Sequence, residues 1–101
     1  MKRYKVIYHI GDSIGLKTKV DKGLLFVDGS SFTIQTNDRK IVLDGIRSVS
    51  LFMLNGLGSM LKVQYGETTI FIAVVRFCIG QFATGNFFGT RELKEDLEAI
   101  L

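Results

Sequence analysis

The chain contains no proline and no tryptophan, and it has a single cysteine and a single histidine. One cysteine, Cys78, excludes an internal disulfide. His9 and Cys78 stand nearly seventy residues apart and cannot by themselves make a structural zinc site, so no metal is expected. Long hydrophobic runs are also missing. The longest uncharged stretches, 48–61 and 77–90, are 14 residues each and are interrupted by Gly, Ser, Asn or Gln, well short of a membrane-spanning helix. The N-terminal "MKRYKVIYHIGDS" starts basic, but its apolar stretch is short and carries Tyr8 and His9. It does not read as a secretory signal, and a cytoplasmic location is expected, with peripheral membrane attachment open. Repeats, low-complexity tracts and linkers are absent.

What is present is an ordinary globular composition, 47% apolar and 23% charged, in 101 residues, enough for one domain with one core over 1–101. The net charge of +3 is unevenly placed. Residues 1–22 hold six basic groups (Lys2, Arg3, Lys5, Lys17, Lys19, Lys22) against Asp12 and Asp21, whereas the tail from Arg91 carries an acidic excess. Such asymmetry steers an anionic partner to one end of the molecule, or is simply a solvated basic face.

Turn signals recur every 7 to 11 residues: Asp28-Gly29, Asn37-Asp38, Asp44-Gly45, Asn55-Gly56 and Gly66-Glu67. The stretches between them are rich in Val, Ile, Phe and Thr, the rhythm of an antiparallel meander. Phe32 and Ile34 alternate with Thr33 and Gln35, and Leu61, Val63 and Tyr65 alternate with Lys62 and Gln64, so these strands have one buried face. "TTIFIAVV" is apolar on both faces and reads as a central strand with a second cover. Strands are expected over 4–10, 16–21, 23–28, 31–36, 40–53, 59–65 and 68–76, the fifth bending at Asp44-Gly45. The pairing of 77–88 is left open. Thr90 reads as the N-cap of a closing helix with Glu92 in its first turn. Leu93, Leu97, Ile100 and Leu101 form one apolar stripe, which makes docking, not propensity, the source of this helix. The expected core is Tyr8, Val20, Leu25, Val27, Phe32, Ile34, Val42, Ile46, Val49, Leu51, Leu61, Val63, Ile70, Ile72, Val74, Leu93 and Leu97.

The "IRSVSL" strand, the "YGETTIF" hairpin and the "NFFGT.EL" approach to the helix resemble the pleckstrin-homology superfold, and residues 23–101 are similar to its small bacterial and GRAM-like members. The resemblance implies a mainly β (α+β) antiparallel roll of about seven strands closed by one C-terminal amphipathic helix. It also implies that basic residues on the first two strands and the loop between them grip lipid headgroups; Lys5, Lys17 and Lys19 fall at those places.

Enzyme-like fragments dissolve on inspection. "GDSI" at 11–14 is similar to the nucleophile block of GDS-type lipolytic enzymes, with Ser13 as nucleophile, but its only possible histidine base is His9, four residues upstream in a strand. "GDSIGLKT" has three residues between its glycines and Leu16 before Lys17, so it is no phosphate loop. "GLGSML" lacks the third glycine of a dinucleotide fingerprint. No catalytic set and no cofactor are expected. Tyr4, Tyr8 and Lys5 give only a faint nucleic-acid pattern, and no nucleic-acid partner is expected. The remaining reading is a non-enzymatic interaction module. It self-associates or binds a protein through the apolar segments at Phe52, Leu54, Leu57, Phe82, Phe87 and Phe88, or, alternatively, it docks on anionic lipid headgroups through Lys5, Lys17 and Lys19.

Overall fold

The structure, a computed structural model, describes residues 2–11, 20–54, 58–79, 82–85 and 87–101, with side chains described throughout these except at 52, 54, 58, 76–79, 82–85 and 87. The fold is mainly β, antiparallel, with one C-terminal helix. Among the described residues, eight strands, β1 (Lys2–Ile10), β2 (Asp21–Asp28), β3 (Ser31–Gln35), β4 (Lys40–Val42), β5 (Ile46–Leu54), β6 (Gly58–Tyr65), β7 (Thr68–Ile79) and β8 (Phe82–Gly85), precede the helix α1 (Phe87–Glu98). Seven strands run in the order β4-β3-β2-β1-β7-β6-β5, and β8 pairs with the far end of β7. Two hairpins follow from glycine. Gly29 and Gly66 take positive φ (62° and 55°) at the first position of two-residue loops, the backbone that matches strand twist and that a Cβ would disfavour.

The stretch expected as one strand over 40–53 is instead two strands at opposite edges of the sheet. Only Leu43, Asp44 and Gly45 lie between them. Four Cα steps span at most ~15 Å, whereas the edges of a flat seven-strand sheet lie ~29 Å apart at ~4.8 Å per strand. The sheet therefore rolls. Gly45 makes the corner, with φ at 71° and its carbonyl accepting the Gly66 N–H at 2.9 Å. Leu43, its N–H bonded to the Phe32 carbonyl at 2.9 Å, is buried just before it.

Inside the roll, Tyr4, Val6 and Tyr8 of β1, Leu25 and Val27 of β2, Phe32 and Ile34 of β3, and Leu61, Val63, Ile70, Ile72 and Val74 of β6 and β7 form one cluster. Leu93 and Leu97 of α1 complete it, so the helix is held by docking, as its stripe requires. The back of the central strands is buried too: Ile7, Met60, Phe71, Ala73 and Val75 pack together with Val20 against them, which is why "TTIFIAVV" is apolar on both faces.

Several expectations are corrected. Val42 (52% exposed) and Leu51 (39%) are not core, because β4 and β5 are edge strands where cover runs out. Val20, Ile46 and Val49 are only partly buried. Of the strand expected at 16–21, residues 16–19 lie outside the described residues, Val20 is not in a strand, and Asp21 opens β2, which absorbs the one expected at 23–28. Thr90 is not an N-cap, and Glu92 is not in the first turn, because the helix begins at Phe87. Ile100 and Leu101 fall beyond the helix end at Glu98 and are exposed. The segment left open at 77–88 supplies the end of β7, β8 and the first turn of α1.

Candidate functional site

The alternation of β1 decides where its charges go. With Tyr4, Val6 and Tyr8 turned into the roll, Arg3 and Lys5 face outward. Register carries the same outer face across the sheet. Arg3, Phe26, Thr33 and Val42 stand opposite one another in one row, and Lys5, Leu24, Gln35 and Lys40 in the next, while Lys22 pairs with Ile7 one step further along. The result is an exposed face carrying Arg3, Lys5, Lys22 and Lys40, with half-buried Leu24 and Phe26 and exposed Val42 between them. None of these four cations is ion-paired among the described residues. By the same register, Asp28, at the hairpin end, is the one carboxylate of β1–β4 on this face.

A cleft of about 460 Å³ opens in this face between Lys5 and Lys22, with Leu24 and Val75 among its apolar walls and Gln35 and Asn37 among its polar ones. A second hollow of about 510 Å³ adjoins it and shares Lys22, Thr36 and Asn37. There Arg39 donates to the Tyr8 hydroxyl at 3.2 Å, sits 3.8 Å from Asp21 Oδ2, and lies 5.9 Å from the Tyr8 ring centroid. The Tyr8 hydrogen bond moves the Arg39 pKa further upward, so its charge is permanent. The loop bearing Asn37 is pinned by Thr36, whose Oγ1 accepts the Arg39 N–H at 3.1 Å and whose N–H donates to the Arg39 carbonyl at 2.9 Å.

Of the cations singled out from sequence, Lys5 is on this face, and Lys17 and Lys19 lie outside the described residues. Arg3, Lys22 and Lys40 were missed as site residues. Arg3 is legible from its i, i+2 spacing with Lys5, but Lys22 and Lys40 join only through strand register. Of the apolar candidates, Phe88 is 74% exposed on α1. Leu57 and the side chains of Phe52, Leu54, Phe82 and Phe87 lie outside the described residues. Ser13 lies outside them as well. His9 stacks on Phe71, ring centroids 6.4 Å apart. Cys78 is in β7 opposite Ala83. Among the described residues, no three His, Cys, Asp or Glu side chains gather as metal ligands. No family model matches the chain, and neither a curated protein nor a solved structure matches it.

Proposed function

We propose that the protein is a non-enzymatic, pleckstrin-homology-like binding module that docks its basic outer face on an anionic lipid surface. One observation carries this reading: four cations with no ion pair among the described residues, Arg3, Lys5, Lys22 and Lys40, share the face of β1–β4 around a cleft large enough for a phosphate-bearing headgroup. Each cation near an anionic membrane contributes about 1 kcal/mol, so four supply about 4 kcal/mol, a weak and reversible attachment. Phe26 and Val42 add apolar contact at the level of the headgroups. No helix among the described residues is long and apolar enough to cross a membrane. The rolled sheet closed by a C-terminal helix supports the family reading.

The test is co-sedimentation with phosphatidylcholine vesicles containing phosphatidylserine. The double variant Lys5→Glu, Lys22→Glu should lose vesicle binding and keep its melting temperature, since both side chains are exposed. Undiminished binding by a folded double variant would remove the face from the site.

A further inference from the structure

We propose that β5 is the seam of a symmetric homodimer, in which its free edge pairs antiparallel with the same edge of a second copy. β5 is nine residues long and pairs with β6 alone among the described residues, so its other side has no strand partner among them. Edges of this kind are normally blunted by being short or by carrying charge or proline. The opposite edge, β4, meets that condition, with three residues and Lys40. β5 does not: after Arg47 the run "SVSLFML" has no charge and no proline. Its Met53 is 68% exposed.

The occupant follows from the strand's own symmetry. The single self-pairing register that uses all nine residues is centred on Ser50, placing Val49 opposite Leu51, Ser48 opposite Phe52, and Arg47 opposite Met53 of the second copy. Ser50 meets Ser50 of the second copy at the centre, the apolar pair Val49 and Leu51 flanks it on either side, and no like charges are opposed. A bulge between Ile46 and Ser48 bends one end of the strand, which leaves Ser48–Phe52 as the paired core, centred on the same Ser50. The strand is thus self-complementary without any rearrangement, a property that a strand from an unrelated protein would have to match.

Sedimentation equilibrium over a wide concentration range reads the assembly directly, with the mass expected to rise from 11.3 kDa toward twice that value. Two substitutions at the exposed Ser50 then test the register. Ser50→Lys and Ser50→Glu each set like charges against one another at the centre of the pair and should weaken association. An equimolar mixture of the two sets opposite charges there and should associate more tightly than either variant alone, by about tenfold in dissociation constant. As a geometric check, Ser50→Cys in a Cys78→Ser background should form an intermolecular disulfide on mild oxidation, because directly opposed Cα atoms in an antiparallel pair lie within disulfide reach. A strictly monomeric protein at every concentration overturns the proposal. So do association of the Ser50→Lys and Ser50→Glu mixture no tighter than that of either variant alone and a Ser50→Cys protein that fails to crosslink.

Discussion

The Tyr4 hydroxyl donates to Asp96 Oδ2 at 2.7 Å, which ties the first strand to the last helix across 92 residues of sequence. Lys2 reinforces the tie, with Nζ 3.1 Å from Asp96 Oδ1 and 3.5 Å from Glu92. Burial pushes the Tyr4 pKa well above the ordinary phenol range, and the Asp96 hydrogen bond pushes it further. The same carboxylate raises Lys2.

Both shifts favour the protonated form in the folded state. Their contribution is therefore complete below roughly pH 10, where the unfolded groups begin to titrate, and is lost as pH rises beyond it. Tyr4→Phe should cost about 1.5 kcal/mol at neutral pH by urea denaturation. It should also make the alkaline loss of stability shallower, leaving the part due to Lys2. An alkaline profile identical to wild type would contradict this coupling.

Thr90 is buried within the helix, and its hydroxyl accepts the Val74 N–H at 3.1 Å. Thr90→Val keeps the shape and strands that donor, so it should lower stability by about 1 to 3 kcal/mol. Thr90→Ser should recover most of the loss. Equal melting temperatures for wild type and Thr90→Val would show that Val74 finds another partner.

Leu97 is fully buried in the cluster that joins α1 to both halves of the roll. Leu97→Ala should cost about 2 to 5 kcal/mol by leaving a cavity. Leu97→Asp, which buries an unpaired charge, should unfold or aggregate the domain. Circular dichroism melts distinguish the two, and an unperturbed Leu97→Asp melt would mean that the helix is not docked.

Local chemistry made much of the fold legible. Asp28-Gly29 and Gly66-Glu67 marked hairpins where glycine takes positive φ, and the alternation around Phe32 and Leu61 identified inward faces correctly. Non-local relations were not legible. Nothing near Asp44-Gly45 announces that the chain there passes between opposite edges of the sheet, and so Val42 and Leu51 looked like core. Thr90 has the chemistry of a cap, but its partner, Val74, lies 16 residues upstream in another element. The basic face suffered likewise. Lys22 and Lys40 approach Lys5 only because β2, β3 and β4 pair in one register.

The central claim is that the face of Arg3, Lys5, Lys22 and Lys40 binds anionic lipid by charge. Its most direct measurement is the wild-type partition coefficient on vesicles of phosphatidylcholine alone and with increasing phosphatidylserine, each at low and high salt. The account predicts no appreciable binding to the neutral vesicles. It also predicts a coefficient that rises with phosphatidylserine content and collapses as the Debye length falls from about 10 Å at 0.1 M salt to about 3 Å at 1 M. Binding that is absent from all the vesicles, equal on neutral and anionic vesicles, or indifferent to salt would contradict it.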